Sequence, residues 1–577
     1  MARPTVTSVA VPMRDGTRLA VDVTLPSAVG SFPVALNQTR YWRSYWVRGQ
    51  DPRARALPIS THHPSVQQLL DAGFAVVCAD VRGTGASHGT WQIPFSSAEA
   101  SDAHDLVAWA ERQPWSTGAV VSAGLSYEGT TSVLAGSCGR AAMRGAVARG
   151  FEWDLYADIV APGGMLNRGF LKDWSESVLA LDRGRVPQLF GFGTALFVRG
   201  VRPLDEDPRG EALERLVRAR VVAGLADIWA SALALSSADE PFGRSGESLA
   251  AISLCARPAL RSASACAPLQ VWASWFDGAS ARAALRMWEH VPALCEVVIG
   301  AWSHTGDDGC SFGRRGAPDP PLAQQVEMQL AFLRECVASN GARTRPRPRR
   351  VRYFMMAPRE PRGGSWRETE QWPPARVAPS TLALRADGAL DGALASARGD
   401  LGASLPPASA DEQWRRWTPD ARATTGRANR WHTQNAKPVA LDGRARAARR
   451  MLVWTGVALR SALTVVGEPV LRLRLVASYA RAPVFAYLEL VDPSGGVWYA
   501  AEAIGVAAQD AGAPCELVLA FLPTAFTAPV GWRLQLGLAA ADADTFPTNV
   551  PARSEWRVDC GLHGGVACAA LALPVAL

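Results

Sequence analysis

The sequence predicts an α/β architecture: a mostly parallel sheet covered by helices, with a helical insertion and an all-β domain after it. Three observations carry this. Apolar strand-like runs alternate with helical periodicity over 1–150 and again over 255–342. Between them, 151–254 shows Trp, Leu, Arg and Asp at helical spacing without a strong strand, which reads as a cap over the sheet edge. Beyond 350 the texture changes to short alternating segments split by Gly/Pro turns, the pattern of a β-sandwich or jelly roll over 350–577.

Taken in order, 6–11 and 17–25 read as strands joined at Asp15-Gly16, a hairpin signal, and 32–37 as a third strand. Residues 44–62 are polar and Pro-containing and read as a surface loop. A helix over 64–72 ends at Gly73 and leads into a buried strand, 74–79. A helix over 100–112, with Ser101 as its cap, precedes the strand before Ser126, and 146–149 is a further short strand. After the insertion, a strand at 267–275 is followed by Asp277-Gly278, a helix over 279–290, a strand over 295–300 and a helix over 320–339. The Arg/Pro run at 343–350 reads as a linker.

Composition excludes several functions. At 577 residues, with 48% hydrophobic and 20% charged residues, the chain builds a large core. No apolar run approaches the ~18 residues of a membrane span. Met1-Ala2-Arg3-Pro4-Thr5 opens without an apolar signal core, so the expected location is cytoplasmic, with no membrane partner. The net charge of +7 comes almost wholly from scattered arginines, Lys172 and Lys437 being the only lysines, and no nucleic-acid motif accompanies it. None of the ten cysteines forms a C-x-x-C pair, so reduced thiols are expected rather than a metal site. The loop Gly83-Thr84-Gly85 lacks the third glycine and the Gly-Lys-Ser/Thr of a phosphate cradle.

The chemistry centres on Val120-Val121-Ser122-Ala123-Gly124-Leu125-Ser126-Tyr127-Glu128-Gly129. A β-branched run enters Gly-x-Ser-x-Gly and a small-residue helix follows: a strand, a sharp turn and a helix with Ser126 at the apex. An activated serine needs a base, and the base needs an orienter. Of eight histidines, only His304 follows a late core strand in a loop, and Asp277 follows the strand before it. Strand, Asp277, helix, strand, His304 is one α/β unit in the required order. Ser126 is thus the expected nucleophile, His304 the base and Asp277 its orienter.

The chain resembles the family of cocaine-esterase-like and X-prolyl dipeptidyl-peptidase-like serine hydrolases. The matching pieces run in order: Met13-Arg14-Asp15-Gly16-Thr17-Arg18-Leu19, Asp80-Val81-Arg82-Gly83-Thr84-Gly85-Ala86-Ser87, Gln113-Pro114-Trp115, Gly124-Leu125-Ser126-Tyr127-Glu128-Gly129, Trp275-Phe276-Asp277-Gly278, Ile299-Gly300-Ala301-Trp302-Ser303-His304 and Trp372-Pro373-Pro374. The resemblance implies an α/β-hydrolase domain, a helical cap and a galactose-binding-like jelly roll, hydrolysing an ester or amide of a small molecule or short peptide through an acyl-enzyme, without metal or organic cofactor. It also implies an oxyanion hole of the Tyr41 hydroxyl and the Tyr127 N–H. Here Arg40 and Trp42 stand where the family pattern has proline and glycine, with Tyr45 as the alternative tyrosine. Phe151, Trp153, Phe170, Trp174 and Trp275 are the expected pocket residues, and Glu152, Asp154, Asp158 and Asp173 the carboxylates available to an amine. Esterase, X-prolyl aminopeptidase and acyltransferase remain open, as do a homodimer and a non-enzymatic scaffold carrying a relic hydrolase domain.

Overall fold

The computed structural model describes residues 5–49, 57–58, 64–188, 192–339, 349–392, 414–546, 548–563 and 566–576. The fold is an α/β-hydrolase with a helical cap and a C-terminal jelly roll. Its sheet opens with β1 (Thr5–Pro12) and β2 (Arg18–Leu25), an antiparallel pair in unbroken register closed at Gly16, whose φ of +82° suits the missing side chain. It continues through β3 (Phe32–Thr39), two short strands β4 (Ser44–Val47) and β5 (Leu57–Pro58) outside it, helix α1 (Val66–Asp71), β6 (Ala75–Asp80), α2 (Ser97–Glu111), β7 (Ser116–Leu125), α3 (Tyr127–Gly136) and β8 (Met143–Arg149). The cap holds α4 (Arg168–Asp182), α5 (Phe192–Phe197), β9 (Val198–Val201), α6 (Glu211–Ala223), α7 (Ile228–Leu233) and α8 (Leu249–Ile252). The α/β pattern resumes with β10 (Leu269–Ser274), α9 (Ser280–His290), β11 (Leu294–Gly300), α10 (Leu322–Ala338) and β12 (Arg350–Met356).

In space the order is β1-β2-β6-β3-β7-β8-β10-β11-β12, parallel from β6 onward. Every residue of β6 and of β10 is buried, as expected of strands covered by helices on both faces. Parallel order puts the C-terminal ends of β7, β8, β10 and β11 side by side at one edge, where such folds place their sites.

Two sequence expectations, for α2 and for Ser44–Val47, need correction. Arg350–Met356, expected at the start of the β domain, pairs in parallel with β11 of the α/β sheet and, through Met356, with Phe526 of the β domain. α2 starts earlier than expected because Ser96 caps it, accepting from the Glu99 N–H at 3.2 Å; the Ser101 hydroxyl bonds back to Ser97 O inside the helix. Ser44–Val47 is no loop but pairs with β9 of the cap. Most of the expected Arg/Pro linker, 343–348, lies outside the described residues.

The β domain is mostly antiparallel, with Ala389–Asp391 and Leu452–Gly456 a parallel pair. Ala482–Val491 runs between Val497–Ala507 and Arg533–Ala539, and Val470–Ala477 pairs with Pro514–Ala520 and Ala570–Ala576. No helix among the described residues is long and apolar enough to cross a membrane.

Candidate active site

The turn between β7 and α3 holds Ser126 at φ 63°, ψ −121°, a conformation few side chains adopt. Its N–H donates to the Arg149 carbonyl at the end of β8 at 2.8 Å. The flanking glycines are steric necessities. A Cβ on Gly124 would lie 2.4 Å from the Glu128 backbone, and one on Gly129 2.5 Å from the Arg149 carbonyl oxygen. Tyr127 is the first residue of α3, so its N–H lacks an intrahelical acceptor and sits at the positive end of the helix.

Asp277 follows β10 and His304 follows β11. Nδ1 of His304 lies 2.9 Å from both carboxylate oxygens of Asp277, both residues being buried. Donation from Nδ1 leaves Nε2 with a free lone pair, and that atom is buried without a hydrogen-bond partner. The two loops are cross-linked by Ser274, whose Oγ donates to the Trp302 carbonyl at 2.5 Å. Gly150, next to the Arg149 that holds Ser126, abuts the same imidazole: a Cβ there would fall 2.8 Å from His304 Cε1. The structure therefore sets the ends of β7, β8, β10 and β11 side by side: His304 is bonded to Asp277, and Ser126 is tied to Arg149, whose neighbour Gly150 abuts the imidazole, while no hydrogen bond joins Ser126 to His304 Nε2.

Tyr41 lines the same cleft as Ser126. Its oxygen accepts from Trp174 Nε1 at 2.9 Å, which leaves its own proton free to be donated. Burial, with the Glu128 charge, pushes its pKa up, so it stays protonated. Trp42 occupies the position of the family glycine and yet takes a left-handed φ of +72°. The neighbours hold that bend. Arg43 is fully buried and donates to Asp22 at 2.8 Å and Asp80 at 2.7 Å, while Arg40 pairs with Asp182 of α4 at 2.8 Å. Losing Arg43 would leave the buried Asp80 carboxylate without its ion-pair partner, a class of change costing about 3–5 kcal/mol. Tyr45 does not line the cleft; its ring packs against Trp42.

The cleft is overwhelmingly apolar, with Phe95, Leu155, Ile159, Phe170, Leu171, Trp174, Ile228 and Phe242 among its walls. Phe170 and Trp174, on α4, face it as the sequence suggests. Phe151, Trp153 and Trp275 do not. Phe151 is a fully packed core residue, Trp153 stacks toward His290, and Trp275 donates to the Phe354 carbonyl at 2.8 Å beside Trp372. Of the four cap carboxylates, Asp158 pairs with Arg282, Asp173 with Lys437, and Asp154 accepts from the Ala157 N–H. Glu152 alone lines the cleft, accepting from Thr130 Oγ1 at 3.2 Å. Burial, reinforced by the Asp277 and Asp158 charges, pushes its pKa up to about 8. Glu128 is likewise raised to about 7 by burial, and accepts from Thr39, which in turn receives the Tyr41 N–H at 3.0 Å.

Sequence reasoning missed that chain from Glu128 through Thr39 to Tyr41, and the walls given by Phe95, Ile228 and Phe242. These lie on separate loops and helices with no local motif between them. Among the described residues no group of three or more His, Cys, Asp or Glu could hold a metal ion.

Residues 15–306 match the X-Pro dipeptidyl-peptidase (S15 family) and 345–555 the X-Pro dipeptidyl-peptidase C-terminal non-catalytic domain. A candidate serine esterase of Mycobacterium bovis is 30% identical over 599 residues, spanning 93% of this chain and 90% of that relative. Cocaine esterase of Rhodococcus is 29% identical over 387 residues, 63% of this chain and 60% of that one. In fold, the chain is similar to a CocE/NonD family hydrolase of Staphylococcus aureus (TM-score 0.65, 15% identity, 99% and 93% of the two chains). It is also similar to an α-amino acid ester hydrolase (TM-score 0.67, 17% identity, 99% and 96%). On this evidence the chain belongs to the cocaine-esterase-like (CocE/NonD), X-Pro dipeptidyl-peptidase (S15) family of serine hydrolases.

Proposed function

We propose that the protein is a carboxylesterase-type acyl hydrolase working through an acyl-enzyme at Ser126. Ser126 Oγ bonds to the acyl carbon as its proton passes to His304 Nε2. The imidazolium returns that proton to the departing alkoxide or amine, and water repeats the sequence to free the acid. Asp277 holds the imidazole tautomer and offsets the charge it acquires. The Tyr41 hydroxyl and the Tyr127 N–H donate to the oxyanion as the tetrahedral intermediate forms. The observation that carries this reading is the pairing at His304: one ring nitrogen on Asp277 at 2.9 Å, the other buried and unpartnered at the sheet end that holds the strained serine. The apolar walls favour a hydrophobic acyl group or alcohol.

One observation favours a second reading. Glu152 is a buried carboxyl group in an otherwise apolar cleft, held protonated when alone and able to ionise against the ammonium of a bound substrate, as in an X-prolyl dipeptidyl-peptidase-type aminopeptidase. Parallel assays with p-nitrophenyl esters and Xaa-Pro-p-nitroanilides separate the two. The esterase reading expects turnover of uncharged esters and none of the anilides. Hydrolysis confined to the anilides would reverse it.

A further inference from the structure

The turn carrying Asp277 and the loop carrying His304 are both gripped from outside their own domain. The Gly278 N–H donates to the Arg430 carbonyl at 2.7 Å, and Arg430 Nε donates back to the Gly278 carbonyl at 2.9 Å. Gly278 has φ +48°, and a Cβ there would meet the Gln434 amide at 3.0 Å, so the turn is shaped to fit this segment. On the other side of Asp277, Phe276 packs against Tyr499, ring centroids 6.0 Å apart. Three residues beyond Arg430, Thr433 Oγ1 accepts the backbone N–H of His304 at 3.1 Å.

The gripping segment is itself fixed. Asn429 Oδ1 accepts from the N–H groups of Trp431 and His432, and its Nδ2 donates to Thr545 Oγ1 at 2.7 Å. Arg430 Nη1 donates to the Tyr499 hydroxyl, and Trp431 Nε1 donates to Glu502. Arg430 and Thr433 are 1% and 0% exposed, so water does not compete for these bonds. All of these partners lie within 345–555, the stretch matched to a domain described as non-catalytic.

We infer that this buried turn of the β domain sets the distance and angle between Asp277 and His304, making Arg430 and Thr433 positioning residues for the base. The inference rests on the proposed roles of Asp277 and His304. A rigid body that binds both loops at once transmits its own geometry to the pair between them, and catalysis is sensitive to displacements of an ångström or less.

Thr433→Val keeps the side-chain shape and removes the acceptor, while Thr433→Ser keeps the acceptor. Arg430→Lys retains the charge and loses the bond from Nε. The probe is a fluorophosphonate, whose second-order labelling rate is followed from pH 5 to 9 alongside thermal unfolding. Labelling of wild type that is lost in Ser126→Ala establishes the nucleophile first. Thr433→Val is then expected to label about tenfold more slowly. Its pH midpoint moves down, because an imidazolium less well held by Asp277 loses its proton more readily. Thr433→Ser returns both toward wild type, and Arg430→Lys behaves like Thr433→Val. Wild-type rates and midpoints in both Thr433→Val and Arg430→Lys would overturn the inference. So would slowed labelling with an unmoved midpoint that serine fails to rescue, since that is general loosening. A wild type that takes no label would overturn the nucleophile assignment and, with it, this inference.

Discussion

Replacing Gly150 by alanine places a methyl group against the His304 imidazole, the proposed base. Gly150 follows β8 at φ +53°, and its N–H donates to the Trp272 carbonyl at 3.0 Å. The new Cβ would lie 2.8 Å from His304 Cε1, 2.9 Å from Nδ1 and 3.1 Å from Asp277 Oδ2, where ordinary contacts begin at 3.4 Å. The imidazole and the carboxylate that orients it must both give way, the imidazole by about half an ångström, which disturbs the pairing between them. If an ångström of misplacement costs about 10²-fold, this retreat costs about tenfold in kcat. The left-handed conformation adds about 1–2 kcal/mol of strain to the folded state. Gly139→Ala isolates that strain: Gly139 has φ +78° and nothing within 4 Å of its would-be Cβ. With a p-nitrophenyl ester as substrate and thermal unfolding as the stability readout, both variants should lose stability. Gly150→Ala alone should lose kcat, with KM little changed. Equal kcat in the two variants would refute the claim that the imidazole beside Gly150 does the proton transfer.

Other expectations follow from the same geometry. His304→Ala should lower kcat by about 10³-fold or more while unfolding near the wild-type temperature; retained turnover would remove His304 as the base. Tyr41→Phe keeps the ring and removes the donor, so kcat should fall about 10²-fold, and an unchanged kcat would assign the oxyanion to another group. Glu152 has an ordinary pKa of 4.5 that burial raises to about 8, so the folded protein binds this proton more tightly than the unfolded chain. Between those values stability falls as pH rises. Glu152→Gln has no proton to lose, so its unfolding temperature relative to wild type should climb from pH 5 to pH 8, a gain on the order of a few kcal/mol. A pH-independent difference would show that Glu152 is not held protonated.

Much of the site was legible because its parts are local. Gly-x-Ser-x-Gly encodes its own strained turn, and Asp277 and His304 each follow an apolar run that can only be a buried strand. What lay outside local pattern was not legible. Trp275 and Trp153 carry the same apolar signal as Trp174, and only packing decides that Trp174 faces the cleft while Trp275 bonds to the Phe354 carbonyl. Arg350–Met356 alternates like any β-domain strand, and no local pattern announces that it pairs with β11 of the α/β sheet. Trp42 stands where the family pattern has glycine. The left-handed bend survives because Arg43 is tied to Asp22 and Asp80, contacts no sequence window contains. Arg430 and Thr433 carry no motif at all, and their bearing on the site exists only in the fold.

The most direct test is peptide mapping of the protein after reaction with a fluorophosphonate. A single phosphonylated peptide carrying the label on Ser126, absent in Ser126→Ala and formed far more slowly in His304→Ala, is the predicted result. A label on another residue, or one that persists in Ser126→Ala, would contradict it.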